Sequence, residues 1–183
     1  MKRLPYDDPG RHPDLRSPAR LLVWVGLQQK GTLALGIAFG IVWMLAQALL
    51  PYALGQAVED GLVADDTGAL VRWAAVLLGL GTIQAIAGIL RHRAAVSNWL
   101  QASYRLIQVV SHHVARTGPA VRSRLTTGEV VATISNDAIR AGGAFDITAR
   151  LAGAIASYFV VAAILLSASR TLGLVVLLGV PLL

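Results

Sequence analysis

Four stretches of this chain carry no charged side chain: residues 31–58, 73–90, 151–169 and 171–183. No other feature narrows the fold as much. A helix that crosses a bilayer needs about 20 mostly apolar residues, with a range of about 17–25. The first three runs reach that length, and the fourth is cut short by the end of the chain at Leu183. The alternative, buried helices of a soluble core, requires a larger protein, because each run is apolar all round. A cleaved signal peptide does not fit either. The run after Lys30 is far longer than an h-region of about 7–15 residues, and no small-x-small cleavage site follows at the right distance. Composition agrees: 55% of the residues are hydrophobic and 14% charged, against roughly 45–50% apolar in a soluble domain. The chain reads as an all-α integral membrane protein with long helices extending into the cytoplasm.

The runs divide the chain into a proline-rich tail (1–18), an interfacial elbow helix (19–30) and a membrane region (31–183). Within the last, the spans lie at about 31–55, 73–90, 151–169 and 171–183, the fourth incomplete. Residues 19–30 hold Leu21, Leu22, Trp24, Val25 and Leu27 between Arg20 and Lys30, a composition suited to a helix lying in the interface; an early start to the first span is the other reading. Gln56 to Arg72 reads as a short acidic loop.

Between the second and third spans lies a basic block, 91–150, which reads as a cytoplasmic helical hairpin. Val96, Leu100, Ser103, Ile107, Val110 and Val114 recur at spacings of 4 and 3, the pattern of a packed seam. Gly118-Pro119 breaks that helix. Thr126 and Glu129 form a capping-box pattern at the start of the returning helix, whose own seam reads Val130, Ile134, Ala138, Ala141, Phe145, Thr148 and Ala152.

Lys and Arg set the orientation. Six precede Gly31 and eight lie in 91–150, against one in 56–72 and one in 169–171. The amino terminus and the hairpin are therefore expected in the cytoplasm.

The formal charge of +6 and the pI near 10.5 fit a nucleic-acid partner in general. Here the basic residues track the membrane boundaries, so no nucleic acid is expected. With no cysteine and only four histidines, no metal site is expected. His112 and His113 are adjacent and point to different sides of a helix, unlike an i,i+4 ligand pair. There is no Gly-rich phosphate loop and no Gly-x-Ser-x-Gly, so no catalytic or cofactor-binding residue is assigned. Trp43, Gln47, Gln84, Ser157 and Tyr158 stand out among the polar or amphipathic residues within spans. They suit a substrate cavity or ordinary interhelical hydrogen bonding. Gly79, Gly81, Gly88, Gly142 and Gly143 suit close helix approach.

Two motifs carry a resemblance. LLPYALGQAVEDGLV at 49–63 resembles the outer end of the first span of ABC exporters. LTTGEVVATISNDAIRAGGAF at 125–145 is similar to the stretch after that family's first cytoplasmic turn, with its Thr-Gly-Glu and Asn-Asp. The resemblance implies the amino-terminal part of a type 1 exporter transmembrane domain. It implies a coupling contact with a nucleotide-binding domain at Pro119, Val121, Arg122, Arg124, Thr127, Gly128 and Glu129, with Asn136 and Asp137 at the helix base. It implies a second transmembrane domain, homo- or heterodimeric, and ATP and Mg bound by the nucleotide-binding domain and not by this chain. It also implies a multi-pass protein of the plasma membrane. The family often has aromatic residues and an aspartate in the turn, where this chain has Val121, Arg122, Ser123 and Arg124. The chain corresponds to roughly the first half of such a domain, so the 183-residue chain alone is expected neither to hydrolyse ATP nor to transport. The alternatives are a structural or regulatory membrane subunit with a cytoplasmic helical hairpin, and a non-ABC four-span transporter.

Overall fold

The computed structural model describes residues 13–117 and 126–179, and all of the regular structure among them is helical. The elements are α1 (Pro18–Gln28), α2 (Lys30–Gln56), a π-helical segment (Ala57–Val63), α3 (Thr67–Thr117), α4 (Thr127–Ala132), a second π-helical segment (Thr133–Asp137), α5 (Ala138–Ala168) and α6 (Arg170–Gly179). Among the described residues, three helical stretches are long and apolar enough to cross a membrane: Lys30–Val63, Thr67–Thr117 and Ala138–Ser167.

Local chemistry explains the ends. Ser17 caps α1, its hydroxyl accepting the Arg20 amide at 3.2 Å, with Pro18 at the first helical position; proline has no N–H to waste there. Gln29 leaves the helical region at φ −120°, ψ 27°. It separates α1 from α2, while its carbonyl accepts both the Leu33 amide and the Thr32 hydroxyl at 3.0 Å.

The acidic stretch expected as a loop from Gln56 to Arg72 is mostly helical. The first π segment continues α2 to Val63, and α3 begins at Thr67. The acids read as loop signals serve as caps and anchors. Asp66 accepts the amides of Gly68 and Ala69 at 2.8 and 3.0 Å, an N-cap. Asp60 accepts the Trp73 indole N–H at 3.0 Å. Only Ala64–Asp66 lie outside helix, and Asp65 takes a positive φ of 51°, which aspartate tolerates better than most residues.

The chain forms two compact units. One comprises the described residues up to Leu35 with Arg93–Thr148, and the other comprises Gly36–His92 with the described residues from Ala149. In the first, Val25, Ala102, Leu106, Ala138 and Phe145 make a buried core, with Leu21, Leu22, Trp24, Leu33, Ile107 and Ala141 packed against it. Gly142 makes the closest approach there. A Cβ on it would meet the Ser103 hydroxyl and stand 2.8 Å from the Trp99 carbonyl oxygen.

In the second unit, α2 and α5 meet at glycines. A Cβ on Gly40 would stand 2.8 Å from the Ala149 carbonyl oxygen, and one on Gly153 would stand 2.8 Å from the Gly40 carbonyl oxygen. Small residues at such a crossing let helix backbones come together, the usual means of association in a bilayer. Of the glycines expected at close approaches, Gly88 lies against Trp43, whereas Gly79, Gly81 and Gly143 face open space.

The seam on α3 is rotated from the one its spacing suggests. Ala95, Asn98, Ala102, Ser103, Arg105, Leu106 and Val109 are buried, and Leu100 is exposed. Only Ser103 is shared with the expected set. The reason lies in the partner: α1 presents Trp24 and Val25, and α3 turns toward them the face that carries Arg105. On the returning helix Ala138 and Phe145 are buried as expected, but Ala149 takes the place of Thr148.

Candidate functional site

Thr117 ends α3 with its hydroxyl donating to the His113 carbonyl at 2.7 Å. Pro119, Val121, Arg122 and Arg124 lie outside the described residues. The described edge of the turn begins at Thr126. Its amide donates to Glu129 Oε2 at 2.7 Å, its hydroxyl donates to the same oxygen at 2.9 Å, and its Oγ1 accepts the Glu129 amide at 3.2 Å. The capping box legible in the sequence is thus formed reciprocally. The Thr126 backbone N–H, and then its hydroxyl, hold the Glu129 carboxyl below its ordinary pKa of 4.5; both bonds favour the charged form. Thr127, Gly128 and Glu129 are all exposed.

One and a half turns further on, the helix widens into the π segment Thr133–Asp137, which holds Asn136 and Asp137, both exposed. A π turn absorbs one extra residue. Asp137 therefore comes round to within about 20° of the Glu129 face, where an uninterrupted α-helix would leave the two about 80° apart. The helix base is held from the side by Trp99, whose indole N–H donates to the Ile139 carbonyl at 3.0 Å. The result is a capped helix start with two exposed acids on one face.

Gln47, Gln84 and Ser157 fall in a single layer of the spans. Trp43 on α2 meets Gly88 and Arg91 on α3. Those helices run antiparallel, so one turn further along α2 and one turn back along α3 bring Gln47 and Gln84 to the same height. Met44 meets Gly153 on α5. One turn beyond Gly153 is Ser157, at that same height. Gln47 is exposed, and Gln84, Ser157 and Tyr158 are half-buried. Tyr158 packs edge-on against Phe159, ring centres 5.4 Å apart. The Arg91 guanidinium lies over the Trp43 ring, 5.1 Å from its centroid.

Three α3 residues to which the sequence pattern assigns no role do much of the positioning. Arg91, Asn98 and Arg105 recur every seventh residue. Arg91 lies over Trp43, the Asn98 side-chain amide donates to the Thr32 carbonyl at 3.2 Å, and Arg105 lies over Trp24 at 5.9 Å. A polar residue repeated at a heptad interval, with two tryptophans upstream, was the available signal. Among the described residues no cluster of His, Cys, Asp or Glu is placed to hold a metal ion.

The family model described as the ABC transporter transmembrane region matches residues 33–183. No curated protein and no solved structure matches the chain.

Proposed function

We propose, since this chain belongs to the ABC transporter transmembrane region family, that it is the amino-terminal membrane portion of an ATP-driven exporter. The coarser statement, that it is the membrane part of an ABC transporter with an all-helical exporter-like fold, follows from the family. In the finer reading, 91–150 is a cytoplasmic hairpin whose turn bears on a nucleotide-binding domain, and that domain binds ATP and Mg. Pro119, Val121, Arg122, Arg124, Thr127, Gly128 and Glu129 make the contact, and Asn136 and Asp137 brace the helix behind it. The transporter pairs this domain with a second transmembrane domain in the plasma membrane, amino terminus in the cytoplasm. Gln47, Gln84, Ser157 and Tyr158, with Trp43, line part of the translocation pathway.

The observation that carries this reading is the built helix start at Thr126–Glu129. Its cap is complete, its acids are exposed, and the π segment behind it aligns Asp137 with Glu129. A docking element on a long helix transmits a rigid-body motion, and α3 is 51 residues long, about 77 Å at 1.5 Å per residue. The absence of native cysteine makes the test direct. A single cysteine at Val121 cross-links to a cysteine on a co-expressed nucleotide-binding domain, with a yield that changes on adding ATP. A cross-link yield indifferent to ATP overturns the coupling role.

A further inference from the structure

The helix α1 has two faces, and only one of them is packed. Leu21, Leu22, Trp24 and Val25 belong to or border the core of their unit. On the other side Arg20, Val23 and Leu27 form one exposed stripe at spacings of 3 and 4, with Val23 63% and Leu27 64% accessible. Arg16 stands just before the helix and Lys30 just after it, both exposed. Three cations thus flank a one-turn apolar strip. Among the described residues a single carboxylate opposes them: Asp14 lies 3.8 Å from Arg20 and accepts the Arg16 amide at 3.1 Å.

We propose that this outer face is a binding surface for anionic phospholipid. Val23 and Leu27 enter the acyl boundary. Arg16, Arg20 and Lys30 extend their stems along it and place their charges among the phosphates, as long cationic side chains do at an interface. Charge complementarity selects the occupant: a neutral lipid would satisfy the apolar strip but not the three cations, and each cation near an anionic leaflet adds attraction. Because Lys30 opens α2, the lipid sits where α1 turns into the first apolar helix. The proposal rests on the reading of α2 as a membrane span.

The test uses the full chain in vesicles, with a single cysteine carrying a fluorophore in place of Leu27 or, separately, of Leu78 in the charge-free part of α3. Quenching is compared between brominated phosphatidylglycerol and brominated phosphatidylcholine at equal mole fraction. At Leu27 the anionic lipid quenches at least about twofold more strongly. That preference disappears in the R16Q/R20Q/K30Q variant and shrinks in high salt, while Leu78 is quenched alike by both lipids throughout. Equal quenching by the two lipids at Leu27 overturns the proposal and leaves the membrane reading standing. No quenching by either at Leu27, with Leu78 quenched, shows the face covered by protein and also overturns it. A Leu78 label that neither lipid quenches removes the membrane reading itself, and the proposal with it.

Discussion

The Arg105 guanidinium lies over the Trp24 indole at 5.9 Å, in a side chain only 8% exposed. A buried arginine is costly unless its charge is matched, and the ring face supplies part of that match. The contact joins α1 to α3 across 81 residues of sequence. Cation–π pairs of this kind contribute about 2 kcal/mol or more when desolvated.

Replacing Trp24 by leucine keeps the apolar bulk and removes the ring face. The expected effect is confined to α1: amides 19–28 exchange about tenfold to thirtyfold faster, the equivalent of about 1.4–2 kcal/mol. Arg105→Ala produces the same pattern and also loses packing. Hydrogen-exchange mass spectrometry of the chain in nanodiscs reads both. Unchanged protection of α1 in Trp24→Leu would mean that Val25 and Leu22 hold the helix without the cation.

At the α2–α5 crossing, Gly153→Ala places a methyl 2.8 Å from the Gly40 carbonyl oxygen and 2.8 Å from Met44 Cγ. The Met44 side chain can move aside, but the Gly40 backbone cannot without separating the helices. The expected cost is about 1–3 kcal/mol, seen as a lower Tm in detergent. Gly79→Ala is the control: nothing lies within 4 Å of its added Cβ, and a helical alanine in place of glycine leaves Tm unchanged or raises it. Equal losses from the two substitutions would remove the close crossing as the cause.

The charge-free runs made the membrane helices legible. Charge is costly in hydrocarbon, and a soluble chain of this size seldom runs for about 18 residues or more without one. The capping box was legible because Thr126 and Glu129 satisfy each other within four residues. Contacts between distant residues were not. Along α3, Val96–Leu100–Ser103 and Ala95–Asn98–Ala102 are both acceptable seams by spacing. What chooses between them is Trp24, some eighty residues away, which draws Arg105 and hence the neighbouring face inward. The stretch 56–72 misled for a related reason. Glu59, Asp60, Asp65 and Asp66 look like loop composition, yet Asp60 anchors Trp73 and Asp66 caps α3. The π segment at Thr133–Asp137 leaves no signature in hydrophobic period, since it adds one residue and the pattern resumes beyond it.

Glu129 gives a pH prediction with a definite sign. Its carboxyl accepts from Thr126 only in the folded helix start, so its pKa there is lowered from 4.5. The stabilisation is fully present above the unfolded value and is lost as the pH falls through the lowered one. Carbon-13 NMR of the glutamate side chains is expected to show Glu129 titrating below 4.5, and Thr126→Ala to return its midpoint toward that value. Thr126→Ala also frays residues 127–132 at neutral pH, since a lost N-cap costs about 1 kcal/mol. A Glu129 midpoint that ignores Thr126→Ala would show that the box does not form in the membrane-embedded chain.

Asn98 separates a polar contact from a merely tolerated polar residue. Its side chain is 2% exposed. The Nδ2 group donates to the Thr32 carbonyl, while Oδ1 is buried with no hydrogen-bond partner among the described residues. Asn98→Leu removes the bond but also that buried acceptor, and Thr32 lies near the start of α2, where its carbonyl keeps a helical donor. Losing both polar groups together is nearly neutral in such cases, so a change within about 1 kcal/mol is expected. Asn98→Asp has nearly the same volume and the opposite consequence. The carboxylate has no proton to give Thr32 and faces a carbonyl oxygen in a dry site, which costs about 3–5 kcal/mol or forces the acid to stay protonated. Thermal unfolding in detergent is expected to rank the Asn98→Asp variant far below Asn98→Leu at about pH 7. At about pH 5 the gap narrows, because the introduced acid, once protonated, can donate where the asparagine did. A leucine variant as unstable as the aspartate variant would instead make the Thr32 bond itself the main tie between α2 and α3 in this unit.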